Sequence, residues 1–155
     1  MKRIFTAILC LALLVSALPL CVGAEEPVTQ QSVEVFPDGS YCVTTITEEV
    51  SEGISLLSTA KTKSGSKSKG YYAADGSLQF TVYVYGVFSY DGSTATATAA
   101  RSGYSISEPS VWSINSSSAA KSGATALGIC RFYSKPTGIL TYSVSLTCSP
   151  NGTLS

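Results

Sequence analysis

The side chains best suited to binding chemistry in this sequence are tyrosines. The 155-residue chain has nine tyrosines, one tryptophan and no histidine. Tyr71 and Tyr72 stand just before an Asp-Gly pair, and Tyr83 and Tyr85 alternate with apolar residues. A row of exposed tyrosines offers flat apolar area together with hydroxyl groups, which suits sugar rings or a protein partner. Because tyrosine is also common in strands, the alternative is that these residues only cover a sheet.

Catalytic chemistry has little support in the sequence. The absence of histidine removes Ser-His and Cys-His dyads. Two segments match the Ser-x-x-Lys pattern, with Ser58 before Lys61 and Ser118 before Lys121. That spacing brings the two side chains together on a helical turn, but neither segment has helical periodicity. We therefore predict a non-enzymatic protein; the alternative is a small extracellular hydrolase that uses serine, lysine or carboxylates.

The carboxylates indicate turns rather than a metal site. Asp38, Asp75 and Asp91 each directly precede a glycine, which is typical of hairpin turns because glycine adopts positive φ without steric cost. The acidic stretch 48–52 lacks the alternating ligands of a calcium loop. We predict no metal site and no cofactor.

The N-terminal residues resemble a secretory leader. Met1-Lys2-Arg3 is positively charged, residues 4–20 are almost wholly apolar, and small residues precede Glu25. This order predicts a signal peptide over 1–24 that is cleaved after Ala24; the alternative is a membrane anchor, for which the apolar run is short. We therefore expect a secreted, extracellular protein of one domain with no membrane span after the leader.

The three cysteines that follow the leader are disulfide candidates. Cys42, Cys130 and Cys148 allow three pairings in an oxidising compartment. A turn centred near Pro136 would place Cys130 opposite Tyr142, so a direct cross-strand bond between Cys130 and Cys148 is disfavoured. The alternative is that all three are small buried thiols.

The elements that must position these residues are strands. Residues 25–155 include 25 serines and 15 threonines, which disfavour helices and are tolerated in sheets. Residues 78–85 alternate between apolar and polar, and residues 140–148 do the same. Residues 124–133 are the predicted hairpin partner of the last strand. This pattern predicts an all-β fold, an antiparallel two-sheet sandwich of seven or eight strands that is immunoglobulin-like in architecture.

Charge divides the chain after the leader. Residues 25–60 carry seven acids and no base, which predicts an acidic N-terminal hairpin arm, and residues 61–155 form the predicted sandwich domain. Lys61–Lys69 holds four lysines among small polar residues and is predicted to be an exposed linker or strand edge. Gly86 is predicted to mark a bulge. The small residues of Thr94–Ala99 predict a strand that a neighbouring layer approaches closely.

Several short phrases resemble a family of small secreted proteins of Gram-positive bacteria that has no assigned function. The phrases are Pro37–Tyr41, Ser64–Lys67, Gly86–Gly92, Lys121–Ala126 and Leu146–Gly152. The resemblance implies secretion, a bacterial source and a β fold, and it implies no catalytic residue. Members of the family often carry a cysteine near the position of Ala97, paired with the C-terminal cysteine; this chain has alanine there.

These observations predict a secreted, non-enzymatic protein that binds a cell-surface polymer or a protein partner. The predicted contact residues are Tyr71, Tyr72, Tyr83 and Tyr85. Charged residues make up 13% of the chain and its net charge is zero, which excludes a protein that binds nucleic acid through a basic surface. The same low charge leaves sheet edges poorly defended, so a self-associating structural protein is a further alternative.

Overall fold

The computed structural model describes residues 28–49 and 60–155, so the predicted signal peptide lies outside the described residues. The described residues form eight strands and no helix. The strands are β1 (Thr29–Val35), β2 (Tyr41–Glu49), β3 (Lys61–Tyr72), β4 (Leu78–Tyr90), β5 (Ala95–Ile106), β6 (Trp112–Ser122), β7 (Thr125–Ser134) and β8 (Gly138–Thr147). This part of the chain accordingly offers no helix that could cross a membrane.

The strands form two antiparallel sheets that pack face to face. The larger sheet has the order β1-β2-β3-β4-β5, and the smaller has the order β6-β7-β8. The predicted two-sheet sandwich is confirmed. Each sheet is a meander of sequential strands. The protein therefore shares the two-layer architecture of immunoglobulin domains but lacks their Greek-key strand order.

The predicted Asp-Gly turns are present and explain why neighbouring strands are sequential. In the first turn, the N–H of Gly39 donates to Phe36 O at 3.0 Å and the N–H of Phe36 donates to Ser40 O at 2.8 Å. Gly39 has a φ of 84°, which an L side chain rarely adopts. The Asp38 carboxylate accepts from the backbone N–H of Ser40 at 3.0 Å. This turn joins β1 to β2, and residues 73–77 repeat it between β3 and β4.

The hydrophobic core lies between the sheets and follows the predicted alternation. Phe80, Val82 and Val84 of β4 are buried on the inner face, which is the face toward the smaller sheet. Val144 and Leu146 of β8 are buried opposite them. Each buried aromatic or branched side chain contributes about 1.5–3 kcal/mol through removal of apolar area from water, so this inner layer holds the two sheets together.

The predicted bulge at Gly86 is wrong in its position. Gly86 pairs in register with Gly65 on one side and Ala100 on the other, and the irregularity lies between Val87 and Phe88 in the pairing with β5. A Cβ atom at Gly86 would lie 2.6 Å from the ring of Phe88. Glycine therefore stands here because the fully buried Phe88 ring needs the space, and the period of two continues through it.

The prediction that Lys61–Lys69 is a linker or strand edge is also wrong. This segment forms most of β3, which lies in the middle of the larger sheet between β2 and β4. Lys67 and Lys69 pair with Val84 and Val82, so they point to the inner face, where they are half-buried. Lysine can occupy such positions because its long aliphatic stem carries the ammonium group out to water.

The segment predicted as an acidic arm supplies the first two strands of the larger sheet. β1 pairs with β2 from Thr29 to Val35, and β2 pairs with β3 from Tyr41 to Glu49. Lys63 of β3 forms an ion pair with Glu48 of β2 at 2.5 Å. The acidic strand β2 and the lysine-rich strand β3 are therefore direct neighbours.

Candidate functional site

An open groove lies at one end of the sandwich, where the β1–β2 turn, the β3–β4 turn and the start of β6 meet. Its volume is about 660 Å³. We call it the aromatic groove, after the rings that line it besides the buried Phe80: Phe36, Tyr41, Tyr71, Tyr72, Trp112 and Tyr142. Asp38 is the one charged side chain in this lining. The groove is therefore largely apolar with hydroxyl groups at its surface, as many binding sites are.

The inner wall of the groove is a cluster of rings from both sheets. Tyr71 lies opposite Phe80 in the β3–β4 register, and their ring centroids are 4.9 Å apart. Tyr142 of β8 meets Tyr71 edge-on at 4.7 Å and Phe80 at 4.8 Å. Edge-to-face pairs are stabilising because the positive ring edge meets the negative ring face. Phe80 stacks in turn on Phe132 of β7 at 4.5 Å, so the core fixes the wall.

Two further tyrosines form a stacked pair beside this wall. Tyr41 and Tyr72 are cross-strand partners in the β2–β3 register. Their ring centroids lie 4.7 Å apart, and the ring planes differ by 3°. Neighbouring residues of a strand point to opposite faces, so Tyr71 joins the inner cluster while Tyr72 joins this stack. The predicted pair Tyr71 and Tyr72 is therefore split between two walls of one groove.

Trp112 closes the groove on the side of the smaller sheet. Its indole Nε1 donates a hydrogen bond to Gln79 Oε1 at 3.2 Å, and its ring meets Phe80 edge-on at 4.8 Å. Gln79 is held in turn, because its Nε2 donates to Ser77 Oγ at 2.8 Å. Trp112 is half-buried, so it packs on the core and also presents a surface to the groove.

Two hydroxyl groups of the groove, those of Tyr71 and Tyr142, remain protonated at neutral pH. Burial raises the pKa of Tyr71 and of Tyr142 above the usual tyrosine value of 10.0. Within the described ranges neither hydroxyl has a protein hydrogen-bond partner, so both can donate to a bound molecule. The hydrogen bonds from Ser40 lower the pKa of the exposed Asp38 below its usual value of 3.8, so this carboxylate is ionised at neutral pH.

Tyr83 and Tyr85 lie away from the groove, on the outer face of the larger sheet. Tyr83 is 43% exposed, and its ring lies against Gly103 of β5. The Tyr85 hydroxyl donates to Glu49 Oε2 at 3.2 Å. With Arg101 these residues border a shallow depression of about 640 Å³, which we call the outer patch. The four predicted tyrosines therefore belong to two separate surfaces.

The three cysteines among the described residues are buried free thiols. Cys42 lies on β2, Cys130 on β7 and Cys148 just after β8. The register places Cys130 opposite Tyr142, as the position of the turn predicts. Burial raises the pKa of Cys42 and of Cys148 above the usual thiol value of 9.0, so these two thiols are protonated and weakly nucleophilic at neutral pH.

The described residues do not bring a Ser-x-x-Lys pair together. Ser118 and Lys121 lie on the extended strand β6, where residues three apart point to opposite faces. Lys121 Nζ instead donates to the backbone oxygen of Thr98 at 2.7 Å. Ser58 lies outside the described residues. Across 28–49 and 60–155, there is also no group of three acidic or cysteine side chains that could hold a metal ion.

Comparison of the chain with family models, curated proteins and solved structures finds no match. The geometry of the groove therefore carries the functional argument. Sequence reasoning missed four of its rings: Phe36, Tyr41, Trp112 and Tyr142. Phe36 and Tyr41 flank the Pro-Asp-Gly-Ser turn. A turn with an aromatic residue on each side is the sequence feature that could have indicated this part of the groove.

Proposed function

We propose that this chain is a secreted, non-enzymatic β-sandwich protein that binds a cell-surface polymer or a protein partner. The observation that carries the proposal is the aromatic groove. Export through the leader at 1–24 from a Gram-positive cell, with cleavage after Ala24, is part of the proposal. It would put the groove in contact with wall polymers and surface proteins.

The chemistry of the groove supports an uncharged, extended ligand segment. Tyrosine and tryptophan offer large flat areas at low cost in side-chain entropy, because each has only two rotatable bonds. The Tyr41–Tyr72 stack and the Trp112 ring border the same space. The free hydroxyls of Tyr71 and Tyr142 can donate hydrogen bonds to it. A sugar ring or a peptide side chain could pack against the apolar ring faces and accept hydrogen bonds from these hydroxyls.

The outer patch is a second contact surface in this proposal. Tyr83 and Tyr85 lie beside Arg101 and Glu49, so this surface is more polar than the groove. A partner that contacts both surfaces must extend from the turns that line the groove to the middle of β4 and β5. A polymer chain can do so, and a small ligand cannot.

Retention on cell-wall material tests the proposal and separates the two surfaces. The purified protein would be compared with Tyr72→Ala in the groove and with Tyr83→Ala and Tyr85→Ala in the outer patch. The matched control is Tyr133→Ala, since Tyr133 is 45% exposed on β7 outside both linings. Loss of an aromatic anchor typically costs more than about 1 kcal/mol, or about fivefold in affinity.

We expect Tyr72→Ala to weaken retention by about fivefold or more, with a smaller loss for Tyr83→Ala and Tyr85→Ala. The control should be retained like the wild type. If all tyrosine variants are retained equally, aromatic binding is wrong. If only the outer-patch variants lose retention, the groove is not the binding site.

A further inference from the structure

Of the strand edges that the structure describes, the outer edge of β1 is the most exposed. β1 pairs only with β2 in the larger sheet, and all seven of its residues are exposed. Val33 is 62% exposed and Val35 is 70% exposed. The strand has no lysine, no proline and no bulge, which are three of the features that prevent edge-to-edge pairing, and its one charge is that of Glu34.

Each of the other three edges is bonded to a neighbouring segment over part of its length. The β5 edge is bulged, and it is tied to the β6 edge by a Ser102–Ser117 hydroxyl hydrogen bond of 2.6 Å. The β6 edge is also bulged and holds Lys121 against a backbone oxygen of β5. The end of β8 is paired with the C-terminal segment through two 2.9 Å hydrogen bonds between Thr147 and Ser155. Among the edge strands that the structure describes, β1 alone has every residue exposed.

The backbone groups on this edge can be assigned from the β1–β2 ladder. Phe36 donates to Ser40 O at 2.8 Å, and Val28 O accepts from Glu48 at 3.0 Å. Even-numbered residues of β1 therefore bond to β2, and odd-numbered residues point their N–H and C=O away from the sheet. The outward-pointing residues are Thr29, Gln31, Val33 and Val35.

We propose that β1 pairs with β1 of a second copy of this chain, antiparallel about a two-fold axis at Ser32. This register uses all seven residues of the strand. Val33 then exchanges both backbone hydrogen bonds with Gln31 of the second copy, and Thr29 does so with Val35 of the second copy. The two larger sheets become one continuous sheet of ten strands.

The side chains of β1 fit a second copy in this register. Glu34, its only charged residue, stands opposite Gln30 of the second copy, whose amide can donate to the carboxylate, and the two carboxylates stay apart. Val33 and Val35 on the outer face gain neighbours from the second copy. The arrangement has two-fold symmetry, which is the commonest symmetry of homo-oligomers. The proposal rests on the edge of β1 and not on the aromatic groove.

The contact is small, so the dimer is weak. One added strand pair buries less than the roughly 1,200–2,000 Å² of a stable interface. The expected behaviour is a reversible monomer–dimer equilibrium that shifts with protein concentration.

Sedimentation velocity over a concentration series tests the proposal. In Val33→Pro the lost N–H belongs to the free edge, so the β1–β2 ladder remains intact. We expect this variant to raise the dimer dissociation constant about tenfold or more. Val33→Lys places a charge at the edge and leaves the backbone N–H in place. This variant should also raise the dimer dissociation constant. Val33→Thr keeps the shape and is the matched control.

Circular dichroism would verify that each variant folds. If Val33→Pro does not fold, the comparison of Val33→Lys with the wild type still tests the proposal. A wild-type protein that is monomeric at every concentration overturns the proposal. Dimers of Val33→Lys as stable as those of the wild type also overturn it. The register has its own test: Ser32→Cys should form an intermolecular disulfide under oxidation, and Thr29→Cys should not. Cross-linking of Thr29→Cys alone would overturn the register.

Discussion

Trp112 donates its indole N–H to the side-chain oxygen of Gln79 at 3.2 Å, and this hydrogen bond joins the smaller sheet to the larger one at the aromatic groove. Trp112 begins β6, and Gln79 lies near the start of β4. The hydrogen bond fixes the angle of the ring that closes the groove. The position of this wall therefore depends on this polar contact between the layers together with the packing of the ring on Phe80.

Replacing Gln79 with alanine should loosen the Trp112 ring. The lost hydrogen bond should lower the free energy of unfolding by about 0.5–1.5 kcal/mol. Retention on cell-wall material should fall, because the wall is no longer held in place. The emission of Trp112 and a denaturant titration would measure both effects. Gln31→Ala, on the exposed strand β1, is the matched control and should leave retention unchanged.

Phe80→Ala should destabilise the whole sandwich. Phe80 is 1% exposed and contacts rings from both sheets, so truncation leaves a cavity between the layers. A loss of about 3–5 kcal/mol in the free energy of unfolding is expected, as for other buried phenylalanines. Urea denaturation would measure it, with the exposed Tyr133→Ala as a control that changes little. A loss below about 1 kcal/mol would contradict the packing described for the core.

Much of the fold was predictable because it follows from local rules. The alternation in β4 and β8 sets which side chains are buried, and the Asp-Gly turns set which strands are neighbours. The prediction for Lys61–Lys69 is wrong because the preference of charged side chains for solvent does not decide where a strand lies in a sheet. The position of β3 is decided instead by pairing on both sides, and its lysines keep their ammonium groups near water.

The aromatic groove could not be predicted in the same way. Tyr71 and Tyr142 are 71 residues apart in the chain, and they meet because the two sheets pack in one particular alignment. No local pattern specifies that alignment. The split of Tyr71 from Tyr72, by contrast, follows from strand periodicity alone.

The stability of the protein should decrease in alkaline solution. Burial holds the pKa of Tyr71 above the ordinary value of 10.0. Tyrosine in the unfolded chain ionises near that value, so the contribution of the buried phenol is complete below pH 10 and is lost as the pH rises further. Denaturant titrations from pH 8 upward would show the decline. In Tyr71→Phe, the free energy of unfolding should decline less steeply with pH. An equally steep decline would contradict burial of the Tyr71 phenol as the cause.

The three thiols should be protected in the folded protein. Cys42, Cys130 and Cys148 are at most 2% exposed, so a reagent in solution cannot reach their sulfur atoms while the protein is folded. An alkylating reagent should modify none of them before unfolding and all of them afterwards. Mass mapping without reductant should find no linked cysteine peptides. Any pair of linked peptides would show that the folded chain contains a disulfide in place of free thiols.

The most direct measurement of binding by the groove is the fluorescence of Trp112, the chain's only tryptophan. Soluble cell-wall fragments would be titrated into the wild type, Tyr72→Ala and Tyr133→Ala. We predict a saturable change in emission for the wild type and for Tyr133→Ala, and a titration shifted to higher concentration by about fivefold or more for Tyr72→Ala. Retention of the protein on the same material without any change in Trp112 emission would contradict the groove as the binding site.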